Sequence, residues 1–341
     1  MRISFLYICM LLILISINQS RGQSSCAQRF ELAMKAYYNG QLRDVEILLS
    51  DCYESLDDIQ REQALRILTI SNLYLRELDK ADSMMLILLK FNPEYKSYVT
   101  DPPEFKNLMD TYKRIPLVSF GAMAGLNMGI YSLSQQYSIA TNFTKANYNG
   151  MLGWQAGIPC SYHLNKNFWI SMDLIFERRS FESEETYIDS LMNINSREIQ
   201  YRFNIPITLK YVFSKWTYNP YFEAGMGMHI LLNAQSRLIR TNTNTGIRVV
   251  DFEYPFSNSR ETLNYSVLGG MGVIRKIKGG FLGLSFRYSY ELLDQIKNDK
   301  LYIDNDLLFK YGFVDNAYQT QMFQLSIYYL HSFYKPKKMK K

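Results

Sequence analysis

The residues of this chain that could do chemistry are charges set at alternate positions within otherwise apolar runs. Asp173, Glu177 and Arg179 share one run, Arg202 and Lys210 another, and Glu223 and Arg287 sit in two more. Alternation puts each on the face opposite the large apolar side chains, where carboxylates and cations can neutralise one another out of water. Lys210 and Glu223 are equidistant from the Ser214 to Asn219 turn, so cross-strand pairing predicts a direct ion pair between them. Such an ionic network fills an interior. It could also relay protons, although nothing in the spacing demands it.

Lipid hydrolysis or acyl transfer would need a serine within reach of a histidine. His331 and Ser332 are adjacent and so face opposite ways, His163 lies with them at one end of the strands, and His229 points inward with no serine two residues away. All three are read as structural, and the chain as no enzyme, with a lipid-modifying activity kept as an alternative. Gly269 to Gly272 lies within a strand, where glycines relieve crowding and need not cradle a phosphate. No His, Cys, Asp and Glu spacing suits a metal. No catalytic, cofactor-binding or metal residue is therefore assigned, and no cofactor is expected.

These side chains need a scaffold with a period of two. In Glu198 to Phe213, one face carries Tyr201, Phe203, Ile205, Ile207, Leu209, Tyr211 and Phe213, and the other Arg202, Asn204, Pro206, Thr208, Lys210 and Val212. Alternation this long suits a strand with lipid on one side and a barrel interior on the other. Seven further segments behave alike: about Leu117 to Tyr131, Gly150 to His163, Phe168 to Glu182, Pro220 to Leu232, Leu263 to Arg275, Gly280 to Leu292 and Thr320 to Phe333. Their connections alternate long and short, as extracellular loops and periplasmic turns do in outer-membrane barrels. The reading is an eight-stranded antiparallel transmembrane β-barrel over residues 116–335, with both ends of the barrel chain periplasmic. A barrel of eight strands is filled by side chains, which favours a plug over a pore. Of the aromatics near the short turns, Phe168, Trp169, Phe213, Trp216, Tyr218, Phe222, Phe281 and Phe333, those pointing outward form an interfacial girdle. Cys160 falls on the lipid face as a free thiol.

The N-terminal part has a different rhythm. Arg2 followed by an apolar run from Ile3 to Ile17 reads as a signal peptide over residues 1–22, cut between Gly22 and Gln23. Cys26 lacks the preceding aliphatic residue of a lipoprotein signal. Over residues 23–115 the apolar period is helical. Helices are expected to Tyr38, from Gln41 to about Cys52, from Ile59 to Leu78, from Lys80 to Phe91, and from Pro103 to Lys106 onward. Cys26 and Cys52 would lie at one end of an antiparallel helical hairpin, a possible disulfide. The mean hydropathy of −0.19 excludes a helical membrane protein. Aromatic content of 15%, with 27 Tyr and 20 Phe, suits a barrel. The net charge of +6 owes much to Lys335 to Lys341 and gives no nucleic-acid surface. Residues 336–341 are expected as a basic, solvated periplasmic tail.

Two resemblances add to this. Ala33, Tyr37, Gly40 and Val45, then Ala81 and Pro93, resemble the pattern of tetratricopeptide repeats, although Arg76 stands where the second repeat wants glycine. Tyr201 to Tyr211 with its Asn-Ile-Pro-Ile core, Pro220 to Gly227, Leu268 to Val273, the Phe286-Arg287-Tyr288 triplet and Tyr334 to Lys337 resemble the porin-family, PorT-like outer-membrane barrel proteins. That resemblance implies a bacterial outer-membrane protein. Through a family member associated with secretion, it also implies an accessory role in protein secretion or outer-membrane assembly. The fold class expected is α+β multidomain, with tetratricopeptide-like helical hairpins before the barrel. The function expected is a membrane-anchored interaction protein that engages outer-membrane lipid and a periplasmic or outer-membrane protein partner. A small-solute channel or receptor-like barrel is the alternative.

Overall fold

The computed structural model describes residues 26–137, 146–187, 192–297, 309 and 313–339; the expected signal peptide and its Gly22 and Gln23 junction lie outside them. The chain divides into two compact units, Met1–Ile115 with Tyr334–Lys341, and Pro116–Phe333.

In the first unit, α1 spans residues 26–38, α2 Leu42–Leu49, α3 Asp58–Tyr74, α4 Leu78–Phe91 and α5 Pro103–Asp110. Caps explain several boundaries. The Asp57 carboxylate accepts the Gln60 N–H at 2.7 Å and starts α3, while α5 starts on Pro103, whose missing N–H is no loss in a first turn. Helix α2 stops at Leu49 instead of running to Cys52, and a 3₁₀ turn, Tyr53–Ser55, follows. Helix α3 stops at Tyr74 instead of Leu78 because the chain enters a left-handed turn at Arg76, φ +62°. Gly40 closes α1 in the same way, φ +76°. The hydrogen bonds match: Gly40 N–H to Tyr37 O and Gln41 N–H to Ala36 O in one, Arg76 N–H to Leu73 O and Glu77 N–H to Asn72 O in the other. Both are Schellman caps, whose left-handed residue is ordinarily glycine because a Cβ is strained there. Arg76→Gly is therefore expected to raise the stability of the helical unit by roughly 0.5–1 kcal/mol in chemical denaturation followed by circular dichroism; an unchanged or lower stability would show Arg76 to be held by other contacts.

Ala33, Val45, Leu49, Ala64, Ile67 and Leu68 form one buried cluster, and Leu65, Ile70, Met85, Leu88, Tyr95 and Phe105 the next. Cys26 and Cys52 are joined by a disulfide with Cα atoms 5.7 Å apart. The C-terminal tail is exposed at Lys337 and Lys338, but its backbone is paired. Lys337–Lys338 (β11) pairs antiparallel with Tyr112–Lys113 (β1), and Met339 N–H reaches Thr111 O at 2.8 Å. Asp82 takes the Tyr112 hydroxyl at 3.1 Å and the Lys338 ammonium, and Tyr334 donates to Glu94 at 2.9 Å. A lysine run looks solvated in sequence, but its backbone is free to pair and its ammonium groups to meet fixed carboxylates. Burial, with Asp82 beside it, pushes the Tyr112 phenol above its ordinary pKa.

The second unit is one antiparallel sheet. Its strands are β2 Pro116–Gln135, β3 Asn147–His163, β4 Phe168–Tyr187, β5 Met192–Val212, β6 Tyr218–Asn242, β7 Arg248–Pro255, β8 Leu263–Ile277, β9 Gly280–Glu291 and β10 Ala317–Tyr334. Hydrogen bonding runs β5-β4-β3-β2-β10-β9-β8-β6-β7, and a further β5–β6 pairing closes the sheet into a barrel. The segment read as a loop from Asn233 to Thr262 instead extends β6 and forms β7, which pairs with β6 beyond the end of β8. Alternation explains the closure: along β5, Ser196 to Val212 are buried at every second residue. A long strand with one apolar face must turn it to lipid, and a closed sheet leaves no unpaired backbone edge there. Short turns lie at one end, as at Lys278 and Gly279, the latter with φ +80°. At the other end β4, β5 and β6 run on instead of giving way to long loops: β4 and β5 pair out to Tyr187 and Met192, and β6 pairs with β7.

Candidate functional site

Outward residues are graded along the strands. In β4, Phe168 precedes Ile170, Met172 and Leu174, and Phe176 follows; in β5, Tyr211 precedes Leu209, Ile207 and Ile205, and Phe203 and Tyr201 follow. Aromatic contacts mark both rows. Phe120 stacks on Phe333 at 4.8 Å and Phe168 meets Tyr211 at 5.0 Å near the short turns, while Phe176 stacks on Tyr201 at 6.0 Å about midway along β4 and β5. An aliphatic band between two aromatic rows is the pattern of a barrel crossing a bilayer. Trp169 and Phe281 do not belong to the outer girdle: both are buried inside, 5.1 Å apart, with Trp169 4.1 Å from His163. They sit on the inward parity of their strands. With Val212, Tyr221, Tyr328 and Leu330 they floor the lumen at the short-turn end.

Above that floor lies a first ionic layer. Arg287 binds Asp173 at 2.7 Å and Glu223 at 2.7 Å, and Lys210 Nζ is 3.7 Å from Glu223. Lys210 and Glu223 are register partners across the β5 and β6 hairpin, but Arg287 holds the carboxylate more closely. The Lys210 ammonium also lies over the rings of Tyr221 and Tyr328, at 5.4 and 5.5 Å. Two cations meet two carboxylates, so this layer is neutral.

The second layer joins Glu177, Arg179 and Arg202 to a group absent from the sequence-derived set, Glu291. Arg179 reaches Glu177 at 2.6 Å and also pairs with Glu291, and Arg202 lies 3.7 Å from Glu291. Glu291 shares the inward parity of Arg287 on β9, so the pattern did carry a signal for it. The network continues through Gln200, which accepts from Arg202 at 2.9 Å and donates to Glu198 at 2.6 Å. Glu198 and Asp315 both grip Arg260. Arg260 and Asp315 lie outside any alternating run, and nothing in the sequence pattern singled them out. Tyr131, Phe181 and Tyr318 pack together at this end. All seven charges read from the sequence, Asp173, Glu177, Arg179, Arg202, Lys210, Glu223 and Arg287, are at most 4% exposed.

His229 does have a serine, supplied by the neighbouring strand. Its Nε2 lies 2.9 Å from Ser266 Oγ, its Nδ1 3.1 Å from an Arg179 nitrogen and 3.6 Å from Glu177. The arrangement copies the composition of a Ser-His-Glu triad but not its proton logic. A guanidinium can only donate, so Nδ1 accepts from Arg179, and Nε2 carries the hydrogen and donates it to Ser266. In that tautomer no imidazole nitrogen is left to take a proton from the serine. The other histidine and serine contact, His163 Nε2 to Ser119 Oγ at 2.8 Å, continues to Ser332 Oγ at 3.0 Å, and all three residues are buried. His229→Leu is expected to leave the acyl composition of the outer membrane unchanged by lipid mass spectrometry. It should lower barrel stability by about 1–3 kcal/mol, because Arg179 loses an acceptor. Among the described residues no group of three His, Cys, Asp or Glu is placed to hold a metal ion.

The family model of the outer membrane protein beta-barrel domain matches residues 114–297, more than half of the chain. The chain belongs to that family. Membership places this outer-membrane barrel in the bacterial outer membrane. Solved structures with similar chain folding include the outer membrane protein OprG of Pseudomonas aeruginosa (11% identity, TM-score 0.37, 64% of this chain and 98% of that one). Neisserial surface protein A (15%, 0.28, 63% and 99%) and Ail of Yersinia pestis (9%, 0.27, 63% and 99%) are others. No activity is transferred from them. No curated protein matches the chain.

Proposed function

We propose that this protein is an outer-membrane anchored interaction module, accessory to protein secretion or outer-membrane assembly. In this reading the barrel serves as a sealed eight-stranded anchor, and the helical unit engages a protein partner in the periplasm. The observation that carries it is the filled lumen: an aromatic floor and balanced ionic layers occupy the space a channel would need. Function then moves to the two ends of the barrel. The short turns, and with them the ends of β2 and β10, belong on the periplasmic side if this barrel follows the common orientation. The tetratricopeptide-like reading is part of the proposal and draws support from the helical unit. Ala33, Val45 and Ala81 are fully buried, and the caps at Gly40 and Arg76 repeat the same hydrogen bonds. Stacked helical hairpins present surfaces suited to binding other chains.

Crosslinking in native membranes tests the proposal, with peptides from residues 26–115 expected in linkage to peptides of a different protein. Recovery of unlinked protein alone would overturn it. In planar bilayers the purified protein is expected to show no steady conductance; single-channel steps would favour the channel instead.

A further inference from the structure

The outer side of the α1 and α2 hairpin is open. Helix α3 covers one side through Ala33, Val45, Leu49, Ala64 and Ile67. The opposite side forms a groove of about 410 Å³ between α1 and α2, with Leu32, Ala36, Ile47 and Leu48 as its apolar lining. Leu32 is 53% and Ile47 69% exposed. Among the described residues only α1, α2 and their turn line this side, and the end of a helical stack ordinarily keeps a polar surface for solubility. A groove in that place with Leu32 and Ile47 exposed between polar walls is a surface suited to a partner.

The charges on its walls say by what. Lys35 stands on the α1 wall and Asp44 on the α2 wall, both exposed and lining the groove, and neither takes part in an ion pair among the described residues. One wall is positive and the other negative, with apolar side chains between. A two-fold axis through the groove would set each wall against its opposite in a second copy: Lys35 against the partner's negative wall and Asp44 against its positive one, with Leu32 and Ile47 meeting across the centre. That is the self-complementarity an isologous interface needs. We infer that two copies of this chain associate through the α1 and α2 groove.

The surface is smaller than the ~20–30 residues a side of a freestanding stable interface. Chains held in one membrane meet at a high effective concentration, and a small interface then suffices. The inference does not depend on the secretion or assembly role.

The test uses the full-length protein in lipid vesicles, made from equal parts of isotopically light and heavy chain. A carbodiimide joins an amine to a carboxylate only when they touch. A dimer is expected in which a peptide carrying Lys35 of one isotope is linked to a peptide carrying Asp44 of the other. Lys35→Glu and Asp44→Lys, each alone, are expected to lower the dimer fraction at least fivefold, and the double variant to restore it. Both positions are exposed on the helices, and circular dichroism checks that the variants keep their helices. A wild-type protein that remains monomeric in vesicles, or a dimer indifferent to all three variants, would overturn the inference. Loss of the dimer with crosslinks to a different protein preserved would leave the interaction role standing, whereas the reverse pattern would remove that role and keep the dimer.

Discussion

Arg179→Met is expected to lower the stability of the barrel by about 3–5 kcal/mol. Arg179 is 1% exposed and is held by Glu177, Glu291 and His229 Nδ1. Its removal leaves two carboxylates facing each other in a water-poor interior, with Arg202, at 3.7 Å from Glu291, as the nearest compensation. The loss comes from the stranded charges more than from the missing contacts, and this gives a second, sharper expectation. Arg179→Met combined with Glu177→Gln returns the layer to one cation and one anion, and should recover a large part of the loss. The three tryptophans of the chain, Trp154, Trp169 and Trp216, all lie in the barrel. Their fluorescence during urea unfolding from lipid vesicles therefore reports this unit. A single variant destabilised by less than about 1 kcal/mol, or a double variant no better than the single, would show that the layers are screened by water and are not a dry plug.

The second large effect belongs to the helical unit. Replacing Cys26 and Cys52 by serine, or reducing the bond, should cost this unit about 3–4 kcal/mol from the loop-closure entropy of the 26-residue separation. A domain of this size has a total stability on the order of 5–10 kcal/mol, so the loss is a large share of it. The bond ties the start of α1 to the segment after α2, within the buried cluster that holds Phe30, Leu49 and Leu56. Hydrogen exchange of residues 26–115 should quicken, while the tryptophan-reported barrel transition stays in place. Unchanged exchange after reduction would mean that the helical packing alone holds the hairpin.

Alternation made most of the barrel wall legible in the sequence, because a strand with lipid on one side and a packed interior on the other has no freedom in its period. The same parity puts Lys210 and Glu223 on the inward face, and with them Glu198 and Glu291, which stand at the ends of the Glu198 to Phe213 and Gly280 to Leu292 runs. It could not reach Arg260 and Asp315. They complete the outer layer from loops, where no period links residue number to direction. Trp169 and Phe281 show a different limit. Nearness to a short turn leaves open which way an aromatic points, and parity decides it by sending both rings into the lumen.

The sequence by itself determined the two periodicities, the division between helices and strands, and the inward set of charges. Each follows from local geometry, in which side-chain direction repeats every two residues or every 3.6. Only the tertiary structure decided which charges share a layer, that Arg287 and not Lys210 is the closer partner of Glu223, that Ser266 meets His229, and that the lysine tail pairs with Tyr112 and Lys113. Those are contacts between residues far apart in the chain. They depend on sheet register, barrel closure and the path of the last segment, and the composition of any one stretch holds no record of them.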